Sequence, residues 1–136
     1  MRLITACLTV LITLAVVTSS IQAADSDTAM AEIVMNQYVA ALKAGDVEAI
    51  KALVGGALRN KRLRLLNNPT YPEYLRNTYQ MAAFTILENK NLAADKVTIR
   101  GRFDFQNQQS LIREFILLRE NNEGGTQFRI HSESTP

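Results

Sequence analysis

Few residues in this chain could do chemistry. His131 is the only histidine, and it lies in a segment where Phe128 and Ile130 alternate with polar residues. We interpret it as a surface histidine rather than a catalytic or ligand-binding one, because it has no identifiable partner. Asp104 alternates out of phase with the phenylalanines on either side of it, which indicates a solvated carboxylate. No residue is therefore predicted to be catalytic.

Other kinds of site are also disfavoured. No carboxylates are paired at helical or strand spacing, and the glycine pairs at 55–56 and 124–125 are typical of turns rather than of phosphate-binding loops. Metal ligation would need oxygen ligands in an acidic loop, and no loop has that spacing. The sequence predicts neither a metal nor a cofactor.

One cluster of basic residues stands out. Arg59, Lys61, Arg62 and Arg64 lie within one predicted helix. They indicate either a solvated helix face or a docking surface for an acidic partner or for anionic lipid headgroups. The whole chain has 15 basic and 13 acidic residues, which argues against a general nucleic-acid binder.

The first 23 residues are typical of a cleavable secretory signal. Arg2 precedes an apolar stretch from Leu3 to Val17, and small and polar residues follow up to Ala23. The stretch is short for a membrane-spanning helix, which needs about 20 apolar residues. We expect residues 24–136 to form one exported, periplasmic or secreted domain without a transmembrane segment. The only cysteine, Cys7, would be lost with the signal, so the mature chain would have no disulfide.

The elements that must position any site divide into helices and then strands. Apolar residues at three-and-four spacing predict a helix from Asp25 to Gly45, capped by Ser26 or Asp27. Asp46 is predicted to cap a second helix, and a third spans 57–66. Thr70 and Glu73 match a capping box that would open a fourth.

After Met81 the pattern changes to two-residue alternation. It predicts a four-stranded antiparallel meander with turns at 89–95, 106–109 and 121–125, and a tail from Glu133 to Pro136. The fold class is therefore α+β, with N-terminal helices packed on a curved four-stranded antiparallel sheet.

The chain resembles the nuclear-transport-factor-2-like superfamily, in particular its small exported bacterial members. The resemblance rests on the run YVAALKAGDVEAI at 38–50 and on the last hairpin, which runs from Phe115 to Ile130. It implies a cone-shaped, cystatin-like or nuclear-transport-factor-2-like fold, with helices packed into the concavity of a bent sheet. Such folds often enclose a pocket and are frequently dimers. It implies little about activity, because that superfamily mixes isomerases, dehydratases and non-catalytic domains.

The turn at 106–109 decides which side chains face the helices. An even loop would pair Phe103 with Ile112 and bring Glu114 opposite Gly101, whereas an odd loop would place Phe103 opposite Arg113 and Phe115 over Gly101. We favour the odd loop. The residues predicted to line a pocket are Tyr38, Tyr79, Phe103, Arg113 and Phe115.

These patterns predict a non-catalytic domain that binds a small apolar or amphipathic ligand or a protein partner. The alternative is a small isomerase- or dehydratase-like enzyme that uses a pocket carboxylate. The segment from Ser110 to Arg119 is apolar on both faces. Helices cover only one face of a sheet, so we also expect a homodimer through the sheet.

Overall fold

The computed structural model describes residues 15–136, with side chains from Asp25 onward. Residues 1–14 of the predicted signal lie outside this part, and cleavage stays a prediction. Four helices precede four strands, which confirms the α+β class. The elements are α1 (Ala15–Ala44), α2 (Val47–Leu53), α3 (Gly56–Leu66), α4 (Tyr71–Tyr79), β1 (Ala83–Ala93), β2 (Lys96–Asp104), β3 (Ser110–Asn122) and β4 (Gly125–Ser134).

The junction between α1 and α2 forms as the sequence predicts. Gly45 has a φ of 66°, the left-handed conformation that commonly ends a helix. A Cβ at this position would lie 2.4 Å from the carbonyl oxygen of Pro72, so α4 approaches closely here. Asp46 then caps α2, because its Oδ1 accepts a hydrogen bond from the Ala49 amide at 3.0 Å.

Two predicted helix caps are wrong. Asp27 lies inside α1, which already begins at Ala15, and its carboxylate pairs with Arg119. Thr70 makes no side-chain cap to α4, because its hydroxyl donates to Asn68 Oδ1 at 2.9 Å instead. Asn68 is therefore the acceptor that organises this turn.

The sheet is an antiparallel meander in the order β1-β2-β3-β4. Two strand ends differ from the sequence prediction. β1 continues to Ala93, so most of the predicted turn at 89–95 is strand. β4 continues to Ser134 and includes Glu133, which had been assigned to a tail.

The β2–β3 connection, residues 105–109, is odd in length, as the favoured alternative required. The side chains of Phe103, Arg113 and Phe115 consequently share one face. The exact pairing is shifted by two residues, however. Phe103 faces Leu111 and Phe115 faces Ile99, so the expected pairings of Phe103 with Arg113 and of Phe115 with Gly101 are wrong.

The core lies between the helices and this inner face of the sheet. Val97, Ile99, Phe115 and Leu117 are fully buried there. Tyr38 of α1 contacts Phe115 edge to face, with ring centroids 6.1 Å apart. Helices and sheet therefore share one apolar core.

The open edge of β4 is partly covered by the connection between α2 and α3. Val54 is extended and forms a parallel bridge with Ile130, and the Gly55 amide donates to the Ile130 carbonyl at 3.0 Å. His131 packs against the same connection, since a Cβ on Gly56 would lie 2.4 Å from its Nδ1. This contact positions α3 relative to the sheet.

Candidate functional site

A cavity of about 400 Å³ lies between α1, α3, α4 and the end of β4. Its wall is mostly aromatic and aliphatic, with two charged side chains. The tyrosines are Tyr38, Tyr71, Tyr74 and Tyr79, the leucines are Leu42, Leu65 and Leu75, and the charged residues are Arg62 and Glu133. Asn68 and Thr70, from the loop before α4, also line it.

A β-bulge aims Glu133 into this cavity. β3 and β4 pair Leu117 with Ile130 but Ile116 with Ser132, so His131 is an extra residue in β4. The extra residue shifts the alternation beyond it to the opposite face. Glu133 therefore pairs with Phe115 and faces the helices, whereas regular alternation would have turned it outward.

Arg62 reaches the cavity from the buried side of α3. It lies four residues after Leu58 and four before Leu66, and both leucines are buried. Residues four apart share one face of a helix, so the guanidinium points inward with the leucines. Only 21% of its side chain is exposed.

Arg62, Tyr38 and Glu133 form one hydrogen-bonded network. Arg62 donates to the Tyr38 hydroxyl at 2.6 Å and forms an ion pair with Glu133 Oε2. The Tyr38 hydroxyl lies 3.4 Å from the same carboxylate oxygen and can donate to it. This network joins α1, α3 and β4 on the cavity wall.

The other oxygen of Glu133 is also engaged. Arg113 Nε lies 3.6 Å from Glu133 Oε1, and the Arg113 guanidinium also donates to the Thr135 hydroxyl. Glu133 thus lies between two arginines, with both carboxylate oxygens close to a cation. Such a carboxylate is well placed to hold a charged network together and poorly placed to accept a proton from a ligand.

The hydroxyls of Tyr38, Tyr71 and Tyr79 stay protonated at neutral pH. Burial raises the pKa of Tyr38 well above its usual value, Glu133 adds to the rise, and Arg62 opposes it. Burial also raises the pKa of Tyr71 and of Tyr79. A ligand in the cavity would therefore meet neutral hydroxyls and an ion pair without net charge.

The predicted pocket residues divide into two groups. Tyr38 and Tyr79 line the cavity. Phe103 and Phe115 are buried behind them: Phe103 packs on Tyr79 with centroids 5.3 Å apart, and Phe115 packs on Tyr38. Arg113 touches the cavity only through Glu133.

Sequence reasoning missed Tyr71, Tyr74 and Glu133 as cavity residues. It also grouped Arg62 with the exposed basic residues, although Arg62 is half-buried and turned inward, whereas Arg59, Lys61 and Arg64 are exposed. The spacing of Arg62 from the leucines at 58 and 66 was the signal that could have separated it. No comparable signal existed for Glu133, because the bulge is visible only in the strand pairing.

The other candidates from the sequence lie away from the cavity. His131 Nε2 is 2.5 Å from Glu120 Oε1, and Arg129 lies 3.2 Å from the same carboxylate. Asp104 lies on the outer face with Ser110 and Arg102 as partners, and both hydrogen bonds lower its pKa. In the part of the chain that the structure describes, no three His, Cys, Asp or Glu side chains are grouped to hold a metal ion.

Comparison of the chain with protein families, with curated proteins and with solved structures finds no match. Within residues 15–136, no helix combines the length and the apolar character needed to cross a membrane. The function is therefore inferred from the residues of the cavity.

Proposed function

We propose that this protein is an exported, non-catalytic domain that binds a small amphipathic molecule in the tyrosine-lined cavity. The observation that carries the proposal is that the cavity wall has an apolar part and a polar part. Tyr71, Tyr74 and the leucines offer an apolar surface, and the network of Arg62, Tyr38 and Glu133 offers hydrogen-bonding groups at one place. The volume lies in the range of about 300–1,000 Å³ that small-molecule sites occupy.

The polar network favours an uncharged or zwitterionic polar group on the ligand. Arg62 is already neutralised by Glu133, so an anion would have to compete with a carboxylate held from two sides. A ligand hydroxyl, amide or carbonyl can instead exchange hydrogen bonds with the tyrosine hydroxyls and Asn68 without leaving a charge unpaired. The resemblance to the nuclear-transport-factor-2-like superfamily belongs to the same proposal, and helices covering one face of a four-stranded meander are compatible with it.

Native mass spectrometry of the mature protein, recovered from its own compartment, tests the proposal. We expect a bound small molecule that is released on denaturation. Leu65→Trp should displace it, because Leu65 is 48% exposed at the cavity wall, where a larger ring would fill the space. Leu63→Trp is the matched control, since Leu63 is equally exposed on the same helix and does not line the cavity.

An empty wild-type protein that also shows no saturable binding of the uncharged dye Nile red would refute the proposal. Equal retention of the bound molecule by both tryptophan variants would place the binding elsewhere. The same spectra test the predicted processing, because the mature chain should begin at Ala24 or Asp25. A chain retaining residues 1–23 would contradict the predicted cleavage.

One observation favours the enzyme alternative: a carboxylate, Glu133, does lie in the cavity. Its two arginine partners argue against a role as a base. Glu133→Gln separates the two functions, because a binding protein should carry the same molecule in both forms, as judged by its mass and, since isomers have equal mass, by its chromatographic retention. A co-purified molecule that differs in mass or retention between wild type and variant would show conversion, and the enzyme would then replace the binding domain.

We also propose a homodimer through the outer face of the sheet. Ile112 is 39% exposed there, and Ile116 and Leu118, at the same alternation on β3, are only half-buried. A second copy would cover this apolar strip. Sedimentation velocity should show a dimer that Ile112→Gln weakens, and a monomer at high micromolar concentration would contradict it.

A further inference from the structure

The helix α3 carries basic charge without acidic neighbours in sequence. No Asp or Glu occurs between Glu48 and Glu73, and α3 lies within that stretch. Arg62 is turned into the cavity, so the exposed basic residues of α3 are Arg59, Lys61 and Arg64. These three residues form no ion pair among the described residues.

Helical geometry places these charges on different flanks. Successive residues are rotated by about 100°, so Lys61, Arg64 and Leu65 lie on one side of the helix. Arg59 and Leu63 lie together on the other flank. Only the first side includes a cavity residue, Leu65.

The same side of α3 is continuous with exposed apolar surface at the cavity. Leu65 is 48% exposed and Tyr74 is 58% exposed, and both also line the cavity. Tyr74 is further stacked on Tyr71, with centroids 5.9 Å apart. We call Lys61, Arg64, Leu65 and Tyr74 the rim: Leu65 and Tyr74 are exposed at the cavity wall, and the two cations lie on the Leu65 side of α3.

We propose that the rim docks the cavity on an anionic lipid bilayer. A bilayer surface satisfies both halves of the rim at once, because headgroups attract the cations and the interfacial region accepts leucine and tyrosine side chains. An acidic protein would account for the charges but would not require apolar groups at the cavity wall. That a membrane could supply the amphipathic ligand rests on the proposed function, whereas the docking itself does not.

Binding of the mature protein to vesicles tests the docking. We expect co-sedimentation with vesicles rich in phosphatidylglycerol, little with pure phosphatidylcholine, and weakening by salt. Each basic residue near such a surface contributes about 1 kcal/mol. The double variant Lys61→Gln/Arg64→Gln should therefore lower vesicle affinity by about thirtyfold.

Two control variants separate the rim from charge in general. Lys43→Gln/Lys51→Gln makes the same change in net charge on α1 and α2, away from the rim and from the proposed dimer face, and should have a much smaller effect. Arg59→Gln should likewise weaken binding less than Arg64→Gln, although both residues belong to α3. Equal losses in rim and control variants would show non-specific attraction and overturn the proposal.

Fluorescence tests the apolar half of the rim. The chain contains no tryptophan, so Tyr74→Trp introduces a single reporter. Its emission should shift to the blue on phosphatidylglycerol vesicles, whereas that of Leu63→Trp, on the other flank, should not. No shift at position 74, combined with equally tight binding to poly-glutamate, would assign the surface to an acidic protein and overturn the bilayer.

The docking and the ligand-binding function can fail separately. A protein that carries a bound molecule but ignores anionic vesicles overturns the docking alone. A protein that binds those vesicles through the rim but has an empty cavity overturns the proposed function alone.

Discussion

Two of the half-buried arginines that pair with carboxylates, Arg119 and Arg62, differ in what surrounds them. Arg119 pairs with Asp27 of α1, which is 6% exposed, and its guanidinium lies over the ring of Phe128 at 5.2 Å. Arg62 pairs with Glu133 beside a cavity and also binds the Tyr38 hydroxyl. We call the Arg119–Asp27 pair, whose carboxylate is buried, the closed pair, and the Arg62–Glu133 pair, on the cavity wall, the open pair.

The difference separates a structural role from a binding role. A pair away from the cavity affects a ligand in the cavity only through the fold. A pair on the cavity wall also sets the charge that a ligand meets. Substitution at the closed pair should consequently change stability alone, whereas substitution at the open pair should change both stability and ligand affinity.

The largest expected effect is at the closed pair. Asp27→Asn leaves Arg119 without its counter-charge, and we expect a loss of about 2 kcal/mol in the free energy of unfolding, because Arg119 keeps some exposure. Urea denaturation measures it, with Asp25→Asn, an exposed residue of the same helix, as the control. A change in dye affinity for Asp27→Asn would contradict the separation of roles.

The next effect is at the open pair and is measured as ligand affinity. Glu133→Gln removes the negative charge between Arg62 and Arg113, so the cavity gains net positive charge. We expect binding of the anionic dye 1-anilinonaphthalene-8-sulfonate to tighten by about tenfold, which is about 1.4 kcal/mol. The control is Glu114→Gln on the outer face. Weaker dye binding in Glu133→Gln would show that Glu133 itself contacts the dye.

The smallest effect is the response to alkaline pH. The pKa of Tyr38 is raised in the folded protein, mainly by burial, and is near 10 when the chain is unfolded. Above pH 10 the unfolded chain therefore loses a proton that the folded protein retains, so stability is complete below that pH and falls as the pH rises. Thermal unfolding midpoints measured on both sides of pH 10 should show this fall.

Tyr38→Phe should reduce the alkaline fall, and Asp27→Asn should leave its slope unchanged, because the closed pair holds no tyrosine. If Tyr38→Phe kept the full slope, the fall would belong to Tyr71 and Tyr79, whose pKa values are also raised. The pH dependence would then come from these two tyrosines of the cavity wall rather than from the network of Arg62, Tyr38 and Glu133.

The sequence predicted neither of these two pairs, although it predicted the order of the elements that hold them. Helix and strand order followed from local patterns, such as Gly45 and Asp46 at a helix junction. Asp27 was taken for a helix cap because its partner, Arg119, is remote in sequence. Glu133 was assigned to a tail, because the bulge at His131 that turns it inward depends on β3 rather than on β4 alone.

The register of β2 and β3 was predicted in part for a similar reason. The face was right because the connection is odd in length, and the pairing was shifted by two residues because the face does not determine the pairing. Arg113 reaches Glu133 through the other hairpin, because β3 pairs Phe115, two residues after Arg113, with Glu133. It therefore acts on the cavity through another side chain.

The bridge between Val54 and Ile130 has a consequence for the order of folding. Its partners are far apart in the chain, whereas neighbouring strands of the meander are joined by short turns. Contacts between distant residues require the closure of a long loop, which costs entropy before any contact repays it. We therefore expect the hairpins to form first and α3 to dock onto β4 afterwards. Because α3 carries Arg62, we expect the cavity to be among the last parts of the molecule to be completed.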